Sequence, residues 1–307
     1  ILLTSLSQHA MADIFGSGAN EFEIEFAAIG NPGNPADTTG SPNPVGSVGY
    51  EYRMGKYEIS EQMIDKANAL GGLGITKNTR SPNSPATSLS WFEAAKFVNW
   101  LNTSVGSTAA YKFDGSGNFQ MWEAGDVGFN PANAYRNTAA QYFLPSVDEW
   151  HKAAFYHPTN GVYYDYATGS NTAPTPVPGG TSPGTAVYNQ PFGASDPATV
   201  MNAGGLSPYG TMAQNGNIWE WEETSLDLLN SSPNADRGIR GGSWPAGANS
   251  MIASDRNFDG PFVEGQFTGL RVASANPVPE PSTIVLVGVA VAGLAVARFR
   301  RSKQLTA

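Results

Sequence analysis

The sequence offers few side chains for nucleophilic or redox chemistry. It has no cysteine, which excludes disulfides, thiolate nucleophiles and cysteine-ligated metals. It also has no phosphate-cradling loop and no Gly-x-Ser-x-Gly elbow. The segment Asp114–Asn118 does not begin an EF-hand loop. Phe119 stands where such a loop needs glycine, and Gly125 stands where it needs glutamate. A hairpin turn is predicted there.

Histidine is the next candidate for metal chemistry. There are three histidines, and His9 falls in a segment that resembles a leader peptide. His151 and His157 are six positions apart, so they would not share one helix face. Two histidines with a carboxylate could hold non-haem iron. The alternative places His151 on the surface of a helix and His157 in a loop before Pro158.

The charge distribution indicates which partners the chain can bind. The formal net charge is -9, and Arg298, Arg300, Arg301 and Lys303 are crowded into the last ten residues. The rest of the chain is therefore more acidic still. An acidic surface repels phosphate backbones, which argues against a nucleic-acid partner. Divalent cations fit this composition better.

The beginning of the chain resembles the end of a secretory signal. Residues 1–12 are mostly apolar and finish with the small-x-small pattern Ala10-Met11-Ala12, directly before Asp13. We predict that residues 1–12 are a signal-peptide remnant; the alternative is an ordinary frayed terminus.

Residues 276–307 resemble a second targeting segment. Pro279, Glu280 and Pro281 precede an uncharged run from Thr283 to Ala297, and the basic residues Arg298, Arg300 and Arg301 follow as a membrane stop. The run is about 15 residues, near the lower limit for a transmembrane helix. The order of these parts resembles PEP-CTERM sorting tails. That resemblance implies a temporary inner-membrane anchor, processing by an exosortase, and delivery to the envelope or extracellular matrix of a Gram-negative bacterium.

Between these ends, local patterns predict an irregular α+β domain over residues 13–275. Serine caps with acidic residues three positions later begin two of the predicted helices, and alternating apolar residues mark strands. The predicted helices run from Ser60 to Leu70, from Ser90 to about Leu101 and from Ser146 to Phe155; the predicted strands are Glu21–Ile29, Tyr50–Ile59, Arg237–Trp244 and Gly269–Ser274.

Five sequence pieces occur in an order similar to the formylglycine-generating (sulfatase-modifying factor) family. They are Tyr57-Glu58-Ile59-Ser60; Pro85 to Trp91 with Trp100; Leu144 to Trp150; Gly216-Asn217-Ile218-Trp219-Glu220-Trp221; and Arg240 to Trp244, closed by Gly269-Leu270-Arg271. The resemblance implies the family's single-domain, C-type-lectin-related α+β fold. We predict that Trp91, Trp100, Trp150, Trp219, Trp221 and Trp244 serve mainly as core residues.

The same resemblance bears on cofactors. In the family, copper is held on two cysteines whose positions fall near Ala246 and Met251 here, so no copper is expected. Other relatives are iron-dependent sulfoxide synthases whose three histidines come largely from an additional helical domain.

Calcium is the cofactor that the resemblance favours. It implies a site made of the Gly216 and Ile218 carbonyls and the Glu220 side chain. Ala213 replaces an expected side-chain ligand. The alternative for Glu220 is a buried carboxylate satisfied by backbone donors.

The resemblance also implies a second calcium site, formed in the family by an asparagine and an aspartate, for which Asn189 and Asp196 are the matching residues here.

Three functions follow as hypotheses. The first is an exported, non-catalytic binding or structural module for an exopolysaccharide or envelope ligand. The second is a metal-dependent oxidoreductase with non-haem iron held by His151, His157 or Glu220. The third, sulfatase activation itself, lacks its cysteines.

Overall fold

The computed structural model describes residues 11–275. Most of the predicted leader (residues 1–10) and the sorting tail with its predicted transmembrane helix (residues 276–307) lie outside the described residues. Met11 and Ala12, the last two residues of the predicted leader, belong to the first strand. Within residues 11–275, none of the helices is long and apolar enough to cross a membrane.

Serine caps begin the three α-helices of the described part of the chain. These helices are α1 (Glu61–Gly71), α2 (Trp91–Ser104) and α3 (Val147–Phe155). Ser90 and Ser146 each form a reciprocal capping box with the glutamate three residues later, as predicted. Helix α1 ends before Gly72, which adopts the left-handed conformation that glycine tolerates best.

Fifteen strands, most of them very short, complete the described residues. In chain order they are β1 (Met11–Phe15), β2 (Phe22–Ile29), β3 (Tyr52–Gly55), β4 (Lys112–Phe113), β5 (Phe119–Gln120), β6 (Tyr142–Phe143), β7 (Tyr156–His157), β8 (Val162–Tyr163), β9 (Thr175–Pro176), β10 (Thr185–Ala186), β11 (Trp219–Ser225), β12 (Arg237–Arg240), β13 (Asn257–Asp259), β14 (Thr268–Gly269) and β15 (Ala273–Ser274).

Two sheets organise these strands. The larger has the order β1-β2-β3-β15-β6 and is antiparallel throughout. The second has the order β13-β12-β11-β14, in which β11 and β14 are parallel. The remaining short strands form two-stranded pairs, so the fold is mixed and rich in loops, as predicted.

The predicted final strands differ from the observed ones for a backbone reason. Strand β12 ends at Arg240 because Gly241 and Gly242 follow with positive φ angles of 93° and 75°. The segment predicted as one strand from Gly269 to Ser274 divides into β14 and β15, which belong to different sheets. Leu270-Arg271-Val272 therefore links the two sheets.

The core contains the predicted tryptophans. Trp91, Trp150 and Trp221 are fully buried, and Trp100 and Trp244 are nearly so, which confirms these five core assignments. Trp219 is partly buried against the same core. Aromatic packing supplies much of the contact area in a fold with so little regular structure.

Candidate functional site

Glu220 lies on β11 at the centre of the predicted calcium segment, and both of its oxygens are engaged. Arg271 donates from Nη2 to Oε1 at 2.6 Å and from Nε to Oε2 at 2.9 Å. The indole Nε1 of Trp150, on α3, donates to Oε2 at 2.7 Å. All three side chains are fully buried. The expected buried and satisfied carboxylate is thus present, but its donors are side chains rather than the backbone N–H groups that we predicted.

The other N–H groups of Arg271 donate to backbone carbonyls. It donates to the carbonyl oxygens of Gly55, Lys56 and Met212. A planar guanidinium can satisfy several acceptors at once in a fixed geometry. The Glu220–Arg271 pair therefore ties β11 and the link between the sheets to β3.

Beside this pair, two acceptor oxygens have no hydrogen-bond partner among residues 11–275. Asn217 Nδ2 donates to Glu58 Oε2 at 2.6 Å, while Glu58 Oε1 and Asn217 Oδ1 are buried and unbonded. Burial, then the charge of Glu220, raises the pKa of Glu58 well above its usual value. Calcium takes roughly six to eight oxygens, so this pair alone does not make a calcium site.

The two residues of the second predicted calcium site have other partners. Asn189 adopts a left-handed backbone conformation, and its N–H donates to the Ala246 carbonyl at 2.8 Å. Asp196 is solvent-exposed and lies 3.1 Å from Arg80 Nε. Within residues 11–275, no three histidine or acidic side chains are grouped closely enough to hold a metal ion. Calcium binding at these residues stays a prediction.

The positions that resemble the copper cysteines hold an alanine and a buried methionine. Met251 packs with Tyr166, Ala186 and Tyr188. Its side chain also fills the space over Gly242, where an added Cβ would lie 2.9 Å from Met251 Cγ. This side chain is thus part of an apolar cluster.

His151 is fully buried, so our prediction of a surface histidine was wrong. Its Nε2 lies 2.9 Å from Asp37 Oδ2, and its ring packs on Phe155 and Tyr163. The loop around Asp37 covers the face of α3 that helical spacing had left to solvent. Sequence reasoning missed Asp37, which lies 114 residues away in a loop without a distinguishing pattern.

The pKa values of His151 and Asp37 are both lowered. Burial lowers the pKa of His151 to about 4, although the Asp37 hydrogen bond opposes this change. Burial alone would raise the pKa of Asp37, but hydrogen bonds with His151 and Thr39 lower it to about 2. The imidazole is therefore neutral at pH 7, and its Nδ1 has no hydrogen-bond partner within the described part of the chain.

His157 does not join His151. It lies on β7 and accepts a hydrogen bond at Nδ1 from the Asn160 N–H, while its ring packs on Tyr164. His151 packs instead on Tyr163, and consecutive residues of an extended chain point to opposite sides. The two imidazoles therefore do not converge on one metal position.

A family model described as a sulfatase-modifying factor enzyme 1-like domain matches residues 36–276, most of the chain. The chain belongs to this family. This sulfatase-modifying factor enzyme 1-like domain is followed by a PEP-CTERM protein-sorting motif over residues 277–301. The motif contains the predicted Pro279-Glu280-Pro281 and the basic residues from Arg298 to Arg301. It indicates an exported protein of Gram-negative bacteria that an exosortase processes.

Among characterised relatives, the sulfatase-modifying factor enzyme 1-like domain is similar to a hercynine oxygenase from Mycolicibacterium smegmatis. The two are 30% identical over 165 residues, which cover 48% of this chain and 36% of the oxygenase. The match thus spans about a third of the relative's length.

Solved structures support the fold. Treponema denticola variable protein 1 superposes with a TM-score of 0.60 at 17% identity, covering 87% of this chain and 100% of that protein. CarF superposes with a TM-score of 0.57 at 15% identity, covering 83% of this chain and 98% of CarF. At such low identity the likeness concerns the fold only.

Proposed function

We propose that this protein is an exported, non-catalytic binding module, directed to the cell envelope or the extracellular matrix. The observation that carries the proposal is that the groups singled out for chemistry have structural partners. Glu220 is paired with Arg271, His151 with Asp37, and Met251 is packed in an apolar cluster. Polar atoms that are bonded within the fold in this way leave fewer free groups for a substrate.

The two terminal segments of the chain would bring the protein to that location. Residues 1–12 would direct export, and the apolar run of the tail would hold the chain in the inner membrane until exosortase processing. The domain would then act in the envelope or matrix, where exopolysaccharides are abundant ligands. A C-type-lectin-related fold suits this role, because its long loops offer variable binding surfaces on a rigid scaffold.

A metal-dependent oxidoreductase is the second candidate. The similarity to a hercynine oxygenase favours it, and His151 Nδ1 is a nitrogen without a hydrogen-bond partner. Against it, His157 points elsewhere and Glu220 is held by Arg271. Sulfatase activation is a third candidate; the chain has no cysteine for the family's copper site.

Metal content separates these functions. The protein would be purified and analysed by mass spectrometry as isolated and after loading with iron and copper. We expect no stoichiometric redox metal, and a His151→Gln variant should give the same result. Stoichiometric iron that is lost in His151→Gln would establish the oxidoreductase instead.

The binding function needs its own measurement. Purified protein would be titrated with fractionated envelope protein and matrix polysaccharide, with retention on each fraction as the readout. We expect saturable binding to one fraction. Absence of binding to every fraction would refute the module, and conversion of a Cys-x-Pro-x-Arg peptide would favour sulfatase activation.

A further inference from the structure

A cleft whose lining includes none of Glu220, His151, His157 or Met251 has the size of a ligand site. Its volume is about 470 Å³, and Tyr50, Asn130, Arg136, Thr138 and Asp148 are among its lining residues. Small-molecule sites occupy roughly 300–1,000 Å³. The cleft is therefore large enough for one or two sugar rings.

Tyr50 presents an aromatic ring that is both accessible and fixed. The residue is 50% exposed, yet its hydroxyl donates to Glu149 Oε1 at 2.6 Å. The Tyr52 ring packs against it in an edge-to-face arrangement, with centroids 6.1 Å apart. A fixed tyrosine offers a flat apolar surface at low cost in conformational entropy. This is the kind of surface on which the C–H face of a sugar ring packs.

Arg136 is the one basic side chain among the described residues that line the cleft, and it is already paired with carboxylates. Arg136 lies between two fully buried carboxylates, with contacts of 3.1 Å to Glu149 Oε1 and 3.2 Å to Glu223 Oε1. Both carboxylates thus contact the positive charge of Arg136. Asp148 adds a further carboxylate to the lining, with one oxygen bound by the Gly46 N–H at 2.7 Å. Uronate or sulfate groups would therefore find no free cation among the described residues that line the cleft.

The rim provides uncharged hydrogen-bonding groups. Thr138 is exposed, and the Oδ1 of Asn130 accepts from the Ala132 N–H, which orients its amide. Hydroxyl and amide groups of this kind pair with sugar hydroxyls without requiring charge.

We propose that this cleft binds an uncharged saccharide, with one ring stacked on Tyr50 and its hydroxyls bonded by Asn130 and Thr138. The inference rests on the proposed binding function and assigns that function a site and a ligand class. Because Arg136 is already paired with Glu149 and Glu223, the cleft favours neutral sugars over acidic ones. The hydrogen bond from Tyr50 to Glu149 links the stacking ring to the buried charge cluster.

The test is calorimetric titration of the full chain in mild detergent with neutral and acidic probes. Malto-, cello- and manno-hexaose serve as neutral probes, and oligogalacturonate of similar length is the acidic one. We expect at least one neutral probe to bind, and Tyr50→Ala to weaken that binding about tenfold or more. Tyr50→Phe keeps the ring and should stay within about threefold of the native chain. Phe258→Ala, at an exposed aromatic outside the cleft lining, controls for general surface effects.

Each outcome decides the proposal. Neutral binding that survives in a folded Tyr50→Ala variant, checked by its thermal midpoint, would overturn the cleft assignment while leaving the binding function intact. Equal affinity for the acidic probe would overturn the selection of neutral sugars. If no neutral probe binds at millimolar concentration, the saccharide proposal fails; the binding function then depends on the envelope fractions alone.

Discussion

Arg271 and Glu220 form a two-point ion pair that is closed to solvent. The contacts are 2.6 Å and 2.9 Å, and neither side chain is exposed. The pair joins the second sheet to the link that returns the chain to the first sheet. It is therefore a structural connection at the position where a metal ligand had been predicted.

Glu220→Gln should destabilise the protein strongly. It leaves the Arg271 guanidinium buried without a counter-charge, which costs about 3–5 kcal/mol of the free energy of unfolding. Urea unfolding measures the change. Glu25→Gln is the matched control, because it breaks a part-exposed contact to Lys56 at 3.1 Å and should cost less than about 1 kcal/mol. Equal losses in both variants would contradict the structural role of Glu220.

The stability of the protein should fall in mild acid because of His151. Its pKa is about 4 in the folded state against an ordinary value of 6.5. Between these values the unfolded chain binds a proton that the folded chain does not. The contribution of His151 to the free energy of unfolding should therefore fall by up to about 3 kcal/mol as the pH drops from 6.5 to 4, and it should be fully present above pH 6.5.

Urea unfolding of the native protein and of His151→Gln across this range isolates that contribution. We expect a flatter pH dependence in His151→Gln than in the native protein. Asp37 loses its contribution to the free energy of unfolding only below pH 3.8, which is outside the range from pH 6.5 to 4. Identical slopes in the native protein and His151→Gln would refute the assignment.

Calcium binding can be tested at the exposed end of the predicted second site. If Asp196 is a ligand, calcium should raise the thermal midpoint relative to a chelator, since a ligand that binds only the folded state stabilises it. Asp196→Asn should abolish the increase, while Asp65→Asn should retain it; the exposed Asp65 likewise contacts a basic side chain, Lys77. A midpoint that does not respond to calcium would end the calcium prediction at these residues.

Asp13 should anchor the first strand. Its carboxylate contacts Arg53 Nη2 at 2.6 Å and accepts from the Tyr142 hydroxyl at 2.7 Å. Asp13→Asn should lower the free energy of unfolding by about 2 kcal/mol, because Arg53 is buried and loses its counter-charge. Glu23→Gln, on the neighbouring strand β2 and exposed, should change little. Chemical denaturation that shows equal stability for both variants would argue against an anchoring role.

The amino-acid sequence determined the features that depend on nearby residues. The capping boxes at Ser90 and Ser146 and the alternation along β2 act over a few positions, so the helices and this strand could be predicted. The order of the motifs predicted the family, and the tail predicted its sorting signal.

Tertiary structure alone decided which polar groups meet. Glu220 and Arg271 are 51 residues apart, and Asp37 and His151 are 114 apart. Local propensity carries no information about such partners, because they are brought together by the packing of loops and sheets. These distant partners decided the surroundings of the predicted metal ligands Glu220 and His151. A buried carboxylate or imidazole bonds to whichever partner the fold places beside it.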